Sequence, residues 1–324
     1  MKAILCTHFG TADELELADI AEPQAGPGEA VVRVKAAALN FFDTLLIAGK
    51  YQSKPPFPFS PAAEFSGIVE SVGSGVTDVT PGDRVTGHMG WGAAREAVAV
   101  PVRQLTKLPA ALDFERAAGL NVIYGTTLYA LRDRAELKPG ETLAVLGASG
   151  GTGLAAIELG KMMGARVIAC ASSDAKLAFA RAHGADATVN YASADLRDAL
   201  RRLGGEHGID VSYDPVGGPY AEPAVRSLAW LGRYLVIGFA AGEIPKLPLN
   251  LVLLRSSDIR GVFWGAWVKR EPLAQRALMT DIVNWCSEGK LSAHVHAVYP
   301  LAEIASALKA ISDRKVMGKI LLRP

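Results

Sequence analysis

Glu141-Thr-Leu-Ala-Val-Leu-Gly-Ala-Ser-Gly-Gly-Thr-Gly-Leu-Ala-Ala-Ile-Glu-Leu-Gly160 is the stretch whose reading decides the fold. Thr142 to Leu146 is a short apolar run, suited to a buried strand. Four glycines follow within seven residues, Gly147, Gly150, Gly151 and Gly153. Leu154, Ile157 and Leu159 then lie among alanines, a helical pattern. A helix N-terminus holds backbone N–H groups without intrahelical partners, and its dipole puts partial positive charge there. A pyrophosphate satisfies both where no side chain blocks it, so glycine is wanted at the approach. Read as G-x-G-x-x-G, the positions are Ala148, Gly150 and Gly153, with Ser149, Gly151 and Thr152 between and beside them. Alanine fits the first position only if the turn needs no positive φ there. Glycines also end strands for purely structural reasons, and it is the strand and helix flanks that favour the nucleotide reading.

Downstream, strands and helices alternate. The strand Arg166–Ala171 precedes a helix over 174–183, the strand 188–191 a helix over 194–203, and the strand 210–214 a helix over 220–230. A strand over 234–238 comes next. That alternation implies a parallel doubly wound sheet, an α/β Rossmann fold. Upstream, to about residue 110, short strands are punctuated by Gly and Pro, the texture of a β-barrel. The segment 115–131 reads as a helix broken at Asn121–Thr127. The C-terminal part carries helices over 273–286 and 301–312 and strands over 294–299 and 319–322.

With 324 residues the chain exceeds one typical core, so two domains are expected. Its net charge of +1 gives no basis for binding nucleic acid or an acidic membrane surface. No apolar run reaches the roughly 18 residues a bilayer requires, and the N-terminus is too polar for a signal peptide, so a cytoplasmic protein is expected. Three scattered cysteines make neither a disulfide framework nor a metal knuckle. His294 and His296 share a strand face, but no third ligand lies near them in sequence.

The order of parts resembles the medium-chain dehydrogenase/reductase superfamily, and more closely its zinc-free quinone oxidoreductase branch. The resemblance rests on Asn40-Phe-Phe-Asp43, Ala48-Gly-Lys-Tyr51, Glu64-Phe-Ser-Gly-Ile-Val-Glu-Ser-Val-Gly73, Pro81-Gly-Asp-Arg-Val85, Tyr124-Gly-Thr126, Ala148-Ser-Gly-Gly-Thr-Gly153, Asp214-Pro-Val-Gly217 and Gly318-Lys-Ile-Leu-Leu322. It implies a GroES-like β-barrel catalytic domain over residues 1–120 and 263–324, and a Rossmann NADPH-binding domain over 121–262. It also implies a homodimer. Zinc-dependent relatives begin the first motif with cysteine and carry a His-Glu pair where this chain has Ala63-Glu64. An amide and a methyl cannot replace a thiolate and an imidazole as zinc ligands.

In an NAD-type fold an acid near the end of the second strand holds the ribose 2′-OH. Here Ala171 is followed by Ser172, Ser173 and Lys176, which would welcome a 2′-phosphate. One serine also suits the N-cap of the next helix. NADPH is therefore the expected cofactor. By resemblance Tyr191 lies near the adenosine end and Thr126 beside the nicotinamide, and Gly238 and Lys319 join the cofactor-binding set. Phe263 and Trp264 suit either a nicotinamide or substrate wall or a dimer interface.

Without a Lewis acid, the easier hydride acceptors are quinones and activated C=C bonds, whose developing oxyanion is delocalised and needs only hydrogen-bond donors. Asn40, Tyr51 and Tyr124 are the catalytic candidates. Tyr51 matches, by resemblance, the proton donor of enoyl-thioester reductases. Asp43 either holds Asn40 or caps the short helix. The expected activity is NADPH-dependent reduction of a quinone. Alternatives are reduction of an enone or enoyl thioester, and a non-catalytic NADPH-binding protein.

Overall fold

The structure is a computed structural model describing residues 1–324. It divides into two compact units, Met1–Gly125 with Gly265–Pro324, and Thr126–Trp264.

The first unit is built around one long strand, Glu29–Leu39. One edge pairs antiparallel with Glu64–Val72; the other pairs with Ala97–Pro101 at its start and with Lys319–Arg323 at its end. Arg84–His88 and Leu105–Lys107 extend the sheet beyond Glu64–Val72, and Val295–Pro300 lies parallel to the last strand. Register shifts at Val31/Val32 and Val34/Ala36 mark bulges, which bend a long strand and let the sheet curl. Ile4, Val32, Leu39, Phe65, Val85 and Leu105 meet in its core. The short helix Phe41–Ile47 follows the long strand directly and carries Asn40 as its N-cap residue.

The second unit is a six-stranded sheet, parallel throughout. Its order is Ala187–Asn190, Arg166–Ala171, Thr142–Leu146, Ile209–Asp214, Leu228–Val236, Asp258–Gly261. Numbered along the chain this is 3-2-1-4-5-6, the dinucleotide-binding order. The order reverses between Thr142–Leu146 and Ile209–Asp214, and ligands of such sheets bind beyond the strand ends at that reversal.

Two expectations need correction, and one segment takes a form not anticipated. The helix Leu120–Leu128 runs unbroken through the polar stretch, because Asn121 donates to Thr86 (2.8 Å) and Thr127 bonds the Tyr213 hydroxyl (2.8 Å). The interruption falls instead at Gly119, the C-cap of Phe114–Ala118. The helix expected over 220–230 ends at Arg226, and Leu228 already pairs with Ile209 in the sheet. Positive φ at Leu231 then bulges that strand, leaving Trp230 and Leu231 exposed. The aromatic segment from Gly261 continues the unanticipated strand Asp258–Gly261 into a helix, Trp264–Arg270.

Candidate nucleotide and acceptor sites

The turn after Thr142–Leu146 takes its positive φ at Gly147 (+58°), not at Ala148, which explains how alanine stands in the first fingerprint position. A Cβ on Gly153 would meet Gly147 O at 2.3 Å, so this glycine permits the close approach of helix to turn. A Cβ on Gly150 would meet nothing nearer than Gly147 O at 3.4 Å. Packing therefore does not require glycine at 150, whereas an approaching ligand would. The helix Gly151–Met162 has no side-chain cap, and its first intrahelical bond is Leu154 N to Gly150 O at 2.8 Å. The N–H groups of Gly151, Thr152 and Gly153 thus have no intrahelical acceptor, the arrangement that receives an anion. Ala148 and Ser149 are buried beneath the turn, while Gly150, Gly151 and Thr152 are partly exposed. Across the reversal Asp214 holds the facing loop. Its Oδ1 accepts from Val216 N (2.7 Å) and Gly217 N (2.9 Å), and its Oδ2 accepts from the Tyr234 hydroxyl. Burial raises its carboxyl, and these three donors oppose the rise. Gly238 N closes the same loop onto Asp214 O at 3.3 Å.

At the end of the second strand the two serines separate. Ser173 caps the helix Asp174–Ala182, accepting from Lys176 N at 3.4 Å. Ser172 is exposed, and Lys176 Nζ reaches its Oγ at 3.3 Å. A hydroxyl and an ammonium thus converge where an acid would stand in an NAD site. Tyr191 follows the third strand and packs on Tyr220, with ring centroids 4.3 Å apart.

In the first unit a polar cluster lies inside the core. Lys319 Nζ donates to Leu39 O, Asn40 Oδ1 and Glu64 Oε1, each at 2.8 Å. Asn40 Nδ2 donates to Glu64 Oε1 (3.0 Å), and Val122 N donates to Glu64 Oε2 (2.8 Å). Asp43 accepts from Asn40 N (2.7 Å) and Ala62 N (3.0 Å), so it both caps the helix and holds the Asn40 backbone. Burial pushes its carboxyl up to about 7, opposed by the Asn40 N–H, the Lys319 charge and the Ala62 N–H. Tyr51 is half-buried and stacks on Phe42 at 5.2 Å. Its hydroxyl pKa is raised by burial and by the Asp43 charge.

Family comparisons agree with this layout. Residues 26–110 match the model described as alcohol dehydrogenase GroES-like domain, and residues 151–279 the model described as zinc-binding dehydrogenase. The rat quinone oxidoreductase-like protein 2 is 38% identical over 322 residues, covering 99% of this chain and 91% of that protein. The chain belongs to the medium-chain dehydrogenase/reductase superfamily, in its quinone oxidoreductase-like branch. Two solved members of this superfamily have the same fold over their full length. Quinone oxidoreductase of Pseudomonas syringae pv. Tomato DC3000 has a TM-score of 0.92 at 31% identity, covering 100% of this chain and 99% of that one. Escherichia coli quinone oxidoreductase, solved in complex with NADPH, has a TM-score of 0.92 at 28% identity, covering 100% of both chains.

Several expected superfamily residues are placed differently from the sequence reading. Tyr124 is fully buried and accepts from Ala293 N at 3.1 Å, so its side chain lines no open site. Lys319 has all three ammonium protons on acceptors of the first unit, which leaves none for a nucleotide. Trp264 is buried, whereas Phe263 beside it is 58% exposed. Thr126 is partly exposed on the helix Leu120–Leu128. Glu64 and Asp214 were legible only as letters within family motifs. A single acid opening an otherwise apolar strand, Glu64-Phe-Ser-Gly-Ile-Val, was the available signal that Glu64 is buried and paired. No group of three or more His, Cys, Asp or Glu side chains is arranged to hold a metal ion.

Proposed function

We propose that this chain is an NADPH-dependent reductase of quinones. The observation that carries the reading is the Lys176–Ser172 contact at the end of the second strand, beside Ala171 where an NAD site wants an acid. The uncapped helix N-terminus at Gly151 supports a pyrophosphate there. NADPH, when bound, supplies the hydride. The chain's own residues bind the nucleotide through the turn at 147–153, orient its 2′-phosphate through Ser172 and Lys176, and offer hydrogen bonds to the acceptor from Asn40 and Tyr51. Asn40 and Ala63 hold an amide and a methyl at the positions that zinc-dependent relatives, by resemblance, fill with ligands. That donor set favours an acceptor whose charge is already delocalised.

A second reading is favoured by Tyr51, whose hydroxyl bonds no other group of the chain. A free phenol can protonate carbon, as reduction of an enone or enoyl thioester requires. The outermost strand of the parallel sheet, Asp258–Gly261, lies near Leu249, Leu253 and Leu254 in sequence, all exposed. Three exposed leucines on and beside the helix Asn250–Leu253 are apolar surface that supports a homodimer.

The test is NADPH oxidation by the purified protein with benzoquinones and naphthoquinones, crotonyl thioesters and simple enones as acceptors, with NADH in parallel. Quinone turnover with NADPH preferred supports the proposal. Turnover of thioesters alone transfers it to the second reading, and tight NADPH binding with no turnover points to a binding protein.

A further inference from the structure

Lys319, Glu64 and Asn40 form a closed triangle, with none more than 7% exposed. An ammonium can only donate and a carboxylate can only accept. The Asn40 atom facing Lys319 must therefore be oxygen, and the atom facing Glu64 must be nitrogen. The flipped amide would set its NH2 against an ammonium and its oxygen against a carboxylate. The Lys319 stem passes over Gly119, where a Cβ would meet Lys319 Cγ at 3.1 Å and Cε at 3.2 Å, so glycine there makes room for the ammonium to reach the triangle. One Nδ2 proton of Asn40 goes to Glu64; no other group of the chain takes the second.

We infer that Lys319 and Glu64 are positioning residues that lock the Asn40 amide in one orientation, so that it presents an N–H rather than a carbonyl oxygen to the acceptor. This rests on the proposed role of Asn40 as a donor to the acceptor. Lys319 does not touch the acceptor; its charge fixes which end of Asn40 does. A buried ion pair is weak evidence for stability, since apolar groups of similar volume often serve as well. A charged pair flanking an amide supplies a direction that apolar packing cannot.

The test uses the double variant K319M/E64Q, which removes both charges together and avoids the unfolding risk of an isolated buried carboxylate. The side-chain amide that E64Q introduces both donates and accepts, so Asn40 is free to flip. Turnover with NADPH and a quinone is measured for wild type, N40A, K319M/E64Q and the triple variant, with NADPH affinity followed by fluorescence quenching. The expected result is a roughly ten-fold loss of kcat in the double variant, with NADPH affinity within about two-fold of wild type. The loss should not multiply with that of N40A. Asparagine-selective 15N NMR should show one slowly exchanging Asn40 Nδ2 pair in wild type and an averaged pair in the double variant. Wild-type kcat in the double variant, losses that multiply, or an unchanged Asn40 signal would overturn the inference. Wild-type kcat in N40A would remove Asn40 from the acceptor site, and the inference with it. In that case the NMR signal still reports whether the charges orient the amide.

Discussion

Lys319 Nζ lies 2.8 Å from Glu64 Oε1, with the two side chains only 4% and 0% exposed. Removing one partner strands the other. K319M alone should cost about 3–5 kcal/mol of unfolding free energy, because Glu64 keeps an uncompensated charge in the core. K319M/E64Q should recover most of that loss. Denaturant midpoints of the two variants check the difference, and equal destabilisation would mean that the pair's charges are not coupled.

Asp43 adds a titratable group to the same core. Burial lifts its carboxyl to about 7, whereas an aspartate in the unfolded chain titrates near ~4. Between those values the folded state holds the extra proton. The group's stabilisation is therefore fully present below about pH 4 and is lost as pH rises through about 7. Carboxylates held low by partners, such as Asp186 beside Lys161, slope the other way. The difference between wild type and D43N isolates the contribution. That difference should shift against wild type between about pH 4 and about pH 7 and level off above, and carboxyl 13C NMR should place the Asp43 midpoint near 7. A midpoint near 4 would contradict the burial argument.

Ser172 and Ser173 are adjacent but have separate duties. S173A removes a helix cap and should cost about 1 kcal/mol in stability, leaving the ratio of NADPH to NADH efficiency unchanged. S172A and K176M should leave stability nearly untouched and raise the KM for NADPH by roughly five- to ten-fold, with little change for NADH. Steady-state kinetics with both nucleotides decides. If S173A alters the nucleotide preference as much as S172A does, the division of labour is wrong.

The parallel sheet was legible because its apolar strands alternate with helices and the glycine turn lies between two of them. What hid from the sequence was decided by tertiary pairing. Leu228 to Leu231 has the apolar content of a helix end, and only the neighbouring strand, through Ile209, makes it a bulged strand. The triangle joins residues 24 and 255 positions apart, Asn40 to Glu64 and Glu64 to Lys319, so no local pattern announces it. Tyr124 shows the converse. Its motif was visible, but its complete burial is a property of the packed unit. Ser172 and Lys176 were readable because they are four residues apart at a helix start, where spacing alone makes them neighbours.

Two glycines of the turn separate folding from binding. G153A places a methyl 2.3 Å from Gly147 O, so it should destabilise the second unit by about 1–3 kcal/mol. G150A meets only an ordinary contact at 3.4 Å and should fold normally. Its methyl would instead stand where a pyrophosphate approaches, and NADPH affinity should fall by at least roughly ten-fold. Calorimetry on both variants separates the effects. Undiminished affinity in a well-folded G150A would move the diphosphate away from this turn.

Tyr51 distinguishes the two acceptor classes. Its hydroxyl pKa is raised by burial and by the Asp43 charge, so the phenol stays protonated at neutral pH and acts as a donor. A quinone accepting hydride builds charge on an oxygen that Asn40 can also serve, and its final proton can come from water. An enone or enoyl thioester must take a proton on carbon, where a positioned acid matters more. Y51F should therefore lower quinone turnover by no more than about two- to three-fold, and turnover of a C=C acceptor by roughly 100-fold or more. The stacking on Phe42 is kept in the variant, so the change isolates the hydroxyl. A large loss with quinones as well would make Tyr51 the principal donor to the acceptor oxygen, displacing Asn40 from that role.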